Sequence, residues 1–212
     1  MSLINQLTIV MYHYVRPIYK SRYTGLKGLE LEYFKRQLDY LSYRYTFISA
    51  EQLISYSLGN VELPLNPCFL TFDDGFKDHI DYVMPELLSR NIKGSFFPPA
   101  DAVLKRDLLD VHALHFILES TVDYHALVNE LNSVYLDYGG TSLNIQSLQQ
   151  IWSIASRYDS AEVMYIKHML QHALPVNIRS KIVTKLFKKY VGRTQSDFAD
   201  ELYVSTSDTK KL

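Results

Sequence analysis

The chain carries a single cysteine and a single tryptophan in 212 residues. With Cys68 as the only thiol, no internal disulfide can form, which excludes a small scaffold held together by bridges. Cys68 lies inside an apolar run and reads as a small core residue. No uninterrupted apolar run approaches the length of a membrane span. Nor does a basic segment followed by an apolar stretch open the chain, so a cytoplasmic location without signal peptide or transmembrane segment is expected. An excess of charge of one sign is lacking too. Lys and Arg number 22 against 23 Asp and Glu, a net charge of -1, which argues against a general polyanion binder, and nucleic acid is not expected as a partner. There is no internal repeat and no low-complexity tract. What is present is 47% hydrophobic content, enough for a sizeable core in one domain or two small ones.

The rest of the chain is organised around Cys68-Phe69-Leu70-Thr71-Phe72-Asp73-Asp74-Gly75. An apolar run rich in β-forming residues ends in two adjacent carboxylates and a glycine, the pattern of a buried strand that delivers acids to a strand-to-helix turn. Asp-Asp-Gly alone is also the pattern of a solvated turn. The strand before it and the helical periodicity after it single it out here. Two neighbouring carboxylates repel unless a cation sits between them or one holds a proton, so the pair suggests a divalent metal or a coupled acid and base.

At these residues the sequence resembles the polysaccharide deacetylase (NodB homology) family of carbohydrate esterases, whose first motif, Thr-Phe-Asp-Asp-Gly, is matched by Thr71 to Gly75. Leu7 to Val15, with its Met-Tyr-His, resembles the family's opening strand. Phe34 to Ser49 resembles its first helix and second strand, and Ile92 to Pro98 the strand after the motif. The resemblance covers about the first hundred residues. It implies a hydrolase that removes an N- or O-acetyl group from a sugar in carbohydrate metabolism, with an acetylated sugar or polysaccharide as partner. In it Asp73 would be the general base and Asp74 a ligand of a divalent metal, commonly zinc. His13, Tyr12 and Gly75 would lie on the substrate-binding rim. The family completes its metal site with a His-(Ser/Thr)-x-x-x-His motif that is not evident here. The nearest candidates are His112 and His115, whose spacing places two imidazoles on one helical face, although a packed or surface helical pair is the other reading. His168 and His172 are a weaker pair on a further helix.

Taken in order, Leu7 to Tyr12 reads as a central strand buried on both faces, with His13 at its C-terminal end. In a parallel sheet the strand C-termini share one rim, which places His13 beside Asp73 and Asp74. A core histidine bonded to a backbone carbonyl is the alternative. Arg16 to Gly28 reads as a loop, and Leu31, Phe34, Leu38 and Leu41 mark an amphipathic helix. A short strand covers Tyr45 to Ile48. Ser49 and Gln52 have the capping-box form before a helix over Ala50 to Leu58. A further helix follows Gly75, broken or kinked near Val83 by Pro85. The strand Ser95 to Phe97 comes next.

From Ala102 onward only helical periodicity is strong, over 104–118, 124–138, 145–156, 161–174 and 178–191. The expected fold is therefore α/β: a partial NodB-type (β/α) barrel, TIM-like, of about four parallel strands over residues 1–101, followed by a helical subdomain over 102–212. A half-barrel exposes strand edges, and either homo-oligomerisation or helical coverage would close them. The chain reads as the N-terminal part of a longer deacetylase. Two rivals remain: a non-catalytic glycan-binding or scaffold module, and a protein-interaction module in the helical part. Its last long helix is basic, and no acid occurs between Val163 and Ser196, so a solvated face and an anionic partner both stay open.

Overall fold

Parallel pairing between two β-rich runs builds the centre of the fold. The computed structural model describes residues 6–140 and 144–212. Its chain divides into two units, one formed by the residues up to Asp107 with Ala199–Leu212, the other by Leu108–Phe198. The first is α/β. It contains β1 (Thr8–Tyr12), β2 (Val15–Arg16), β3 (Leu29–Glu30), α1 (Leu31–Arg44), β4 (Thr46–Phe47), α2 (Ala50–Ser57), β5 (Pro67–Asp73), α3 (Met84–Ser89) and β6 (Ser95–Phe97).

β5 pairs in parallel with β1 along its length, from Thr8 opposite Cys68 to Tyr12 opposite Phe72. On its other side it pairs with β4 near Pro67 and with β6 near its end, where Asp73 lies opposite Phe97. This four-stranded parallel sheet is open. The expected TIM-like barrel is therefore corrected: among the described residues the sheet does not close. β2 and β3 pair with each other in a separate two-stranded sheet, and the chain after β6 is mainly helical. The segment read as a loop, Arg16 to Gly28, thus starts on the last residue of β2 and contains a 3-10 turn over Ile18–Lys20.

Side chains alternate across a strand, and partners in a parallel ladder share a face. Val10, Tyr12, Cys68, Leu70 and Phe72 face the core, where Phe34, Leu38 and Leu41 of α1 meet Val83, Leu87 and Ile92. Phe72 is fully buried, stacked on Tyr12 and Phe96 with centroids 5.3 and 4.9 Å away. The opposite face differs from the expectation of two-sided burial. Ile9 and Met11 are each 58% exposed there, on the face that also carries Asp73.

The helix ends follow local chemistry. Ser49 Oγ accepts the Gln52 backbone N–H and the Gln52 side chain accepts the Ser49 N–H, a complete capping box before α2. Ser49→Ala should cost about 1 kcal/mol of stability, measured by urea denaturation. As expected, the helical run after Gly75 is divided near Val83: a π-helical turn over His79–Val83 ends there, and Pro85 sits in the first turn of α3.

The second unit contains α4 (Asp110–Glu119), α5 (Tyr124–Asp137), α6 (Ile145–Trp152), α7 (Ala161–His168) and α8 (Val176–Tyr190). The first residues of α9 (Gln195–Leu202) also belong to it. Phe198 packs on Phe116 and Phe187, at 4.5 and 5.3 Å between centroids. Three basic residues of α8 are matched by acids: Arg179 by Asp110, Lys185 by Asp137 and Lys189 by Glu130. Among the described residues no helix is long and apolar enough to cross a membrane.

Candidate functional site

β5 ends where the backbone turns sharply. Asp74 and Gly75 both adopt left-handed conformations, at φ 73° and 60°. A Cβ on Gly75 would lie 2.6 Å from Cβ of Pro98, so only glycine fits the position. Asp74 in this region stores strain of order 1 kcal/mol, the kind retained where backbone geometry serves a site. The turn is held from the other side by the C-terminal segment. Val204 N–H donates to the Gly75 carbonyl at 2.9 Å, Lys77 N–H donates to that of Leu202 at 2.8 Å, and Phe76 bridges Tyr203 antiparallel. Arg106 ties that segment down through Asp200 and the Val204 carbonyl.

β1 and β5 deliver their C-terminal ends to the same rim. His13 Nε2 stands 3.9 Å from Asp74 Oδ2, both side chains partly exposed. Asp73 is half-buried on the open face of the sheet, opposite the exposed Phe97. Tyr12 is placed elsewhere. Its side chain is on the core face with 6% exposure, its ring edge-on to Phe34 at 5.1 Å, and burial pushes its hydroxyl up to about 12. Gly75 is buried and shapes the turn through its backbone.

Beneath this rim lies a buried polar group that the sequence reading did not single out. Asp78 is 5% exposed and accepts the Arg16 Nε–H at 2.7 Å, and its carboxyl also accepts the Val15 backbone N–H. His79 is fully buried among Phe72, Phe76 and Phe96, and its Nε2 donates to the His13 carbonyl at 3.0 Å. Burial pushes Asp78 up to about 6 against the pull of the Arg16 guanidinium, and holds His79 down to about 4. The available signal was Asp78-His79 following the turn in an otherwise apolar helical pattern.

These two groups act on stability in opposite directions. For Asp78 the folded chain binds more protons than the unfolded one between about 4 and 6, so its contribution falls as pH rises through that window. For His79 the unfolded chain binds more protons between about 4 and 6.5, so its contribution is lost as pH falls through it. The expected outcome is near cancellation in the native chain. Urea midpoints of His79→Leu should fall with pH relative to the parent from about 4 to 6, and those of Asp78→Asn should rise.

The resemblance implies a metal, and the residues present do not fit one. Among the described residues no three His, Cys, Asp or Glu side chains form a group that could hold an ion. A catalytic zinc needs three protein ligands, and His13 with Asp74 makes two. The expectation of a metal-binding zinc centre is thereby corrected. His112 and His115 do lie on one face of α4, rings 6.0 Å apart, but His112 is only 2% exposed and neither joins such a group. His168 stacks on Trp152 at 5.2 Å, and its ring is tilted against that of His172 at 5.7 Å.

No family model matches the chain, and no curated protein does. Solved structures match part of it. A de-N-acetylase from Aggregatibacter actinomycetemcomitans is 21% identical with a TM-score of 0.41, over 46% of this chain and 38% of that one. IcaB from Ammonifex degensii is 30% identical with a TM-score of 0.38, over 46% of this chain and 42% of that one. In its fold, part of this chain is similar to solved deacetylases. A third, the deacetylase PplD from Streptococcus pyogenes, solved with acetate, is 27% identical with a TM-score of 0.36, over 42% and 41% of the two chains. The chain spans about two fifths of the length of each of these three structures.

Proposed function

We propose that the α/β unit carries a deacetylase-type carbohydrate hydrolase site, acting on an N-acetyl or O-acetyl group of a sugar in polysaccharide metabolism. One observation carries this reading: a single strained turn presents Asp73 and Asp74 at a strand end, and the neighbouring strand brings His13 to 3.9 Å from Asp74. Asp73, half-buried on the open face, takes the proton of the attacking water as its oxygen bonds to the acetyl carbon. The bond from that carbon to the sugar nitrogen or oxygen then breaks as Asp73 returns its proton to the departing atom, leaving acetate and the free amine or hydroxyl. His13 supplies a polar contact on the same rim. Phe97, opposite Asp73 and 56% exposed, offers a ring face on which a sugar can stack. No step is assigned to a metal ion.

Calorimetric titration with an N-acetylglucosamine tetramer and with the glucosamine tetramer tests this. The acetylated tetramer should bind, and should still bind to Asp73→Asn, whereas the free amine should bind at least tenfold more weakly. Equal affinity for both, or none for either, would overturn the proposal. A second reading, a glycan-binding module without catalysis, is favoured by the two-membered His13–Asp74 pair and the lack of a third ligand among the described residues. It shares the binding result and predicts no release of acetate.

A further inference from the structure

The site's own turn reaches back and grips the strand that carries His13. Asp78 and His79 are adjacent, four and five residues after Asp74, and both are buried. Between them they make three bonds to the segment His13–Arg16: to the His13 carbonyl, to the Val15 N–H and to the Arg16 guanidinium. Because His79 Nε2 carries the donated proton, Nδ1 is the bare nitrogen. That atom is buried and, among the described residues, makes no hydrogen bond. An unsatisfied buried polar atom is destabilising, and a core built only for stability would place an apolar side chain there. The aromatic surroundings of Phe72, Phe76 and Phe96 would accept one readily.

We propose that Asp78 and His79 are positioning residues, a clamp that fixes the His13 imidazole against Asp74 by holding the backbone of residues 13–16 to the Asp74–Gly75 turn. This rests on the reading of His13, Asp73 and Asp74 as a catalytic rim. The clamp explains why a polar pair is kept beneath an apolar sheet: backbone atoms on β1's exit cannot be located to within a fraction of an ångström by packing alone, and hydrogen bonds of fixed direction can do so. Arg16 completes it from the gripped side, its guanidinium also 5.5 Å over the Tyr14 ring, which stacks on Phe76 at 4.0 Å. Strand exit and acid-bearing turn thereby move as one body.

The test follows the ring of His13 by NMR in the intact chain labelled on its histidine side chains, in the parent, His79→Gln and His79→Leu. Gln keeps a donor near the place of Nε2, and Leu keeps the bulk without it. One sharp His13 signal is expected in the parent and in His79→Gln, and a split or broadened one in His79→Leu. Where acetate release is measured, kcat should fall about tenfold to a hundredfold in His79→Leu at unchanged KM, and recover in His79→Gln. If His79→Leu does not fold, Asp78→Asn decides by the same His13 signal. A merely structural role lowers the melting temperature and leaves the His13 signal of the folded variants unchanged, and that result would overturn the proposal. The NMR arm does not depend on turnover, so an inactive parent chain would contradict the proposed function without touching the clamp.

Discussion

Asp78→Ala is expected to lower the stability of the α/β unit by about 3–5 kcal/mol, the cost of breaking a buried ion pair from one side. The Arg16 side chain is 17% exposed and that of Asp78 only 6%, so removing the carboxylate strands a guanidinium away from water. The Val15 N–H loses its acceptor in the same step. A protein of ordinary stability has only about 5–15 kcal/mol to lose, so the change is a large fraction of the total. Urea unfolding read by pulsed hydrogen exchange in β1 and β5 is the right measurement, because Trp152, the sole tryptophan, lies in the other unit. Replacing both partners, as Asp78→Leu with Arg16→Met, should recover most of the loss, since a well-packed apolar pair avoids the desolvation cost. A loss in the double variant as large as in the single one would show that the pair stabilises by its own attraction.

Asp73→Asn carries the largest expected effect on turnover. A positioned general base contributes about 10²–10⁴-fold, and the amide cannot take a proton from water. Asparagine has nearly the shape of aspartate, so the strand end opposite Phe97 should be unchanged and substrate should still bind. Acetate release should therefore fall by about 10²–10⁴ with KM little altered, whereas a fall in affinity with kcat intact would assign Asp73 to binding instead.

Much of this arrangement was legible before any coordinates. The run Cys68–Asp73 is apolar but for Thr71 up to its acids because β5 is the central strand, and such runs announce themselves. Ser49 and Gln52 located the start of α2 because a capping box is a local device. His13 at the rim followed from strand direction alone. Four things were hidden for physical reasons. The exposure of Ile9 and Met11 depends on what covers the sheet, which no residue in β1 encodes. Tyr12 reads as a rim residue by sequence position, yet the alternation of a strand turns it to the opposite face from Asp73 and into the core. The grip of Asp78 and His79 on residues 13–16 joins segments more than sixty residues apart, beyond the reach of periodicity or motif spacing. The return of residues 199–212 to the α/β unit is long-range in the same way.

The most direct test of the central claim is acetate release from an N-acetylglucosamine oligomer by the intact, purified chain, with Asp73→Asn prepared alongside. Release by the parent above the protein-free background, and its loss in the variant, are expected. No release by the parent, or equal release by both proteins, would contradict it.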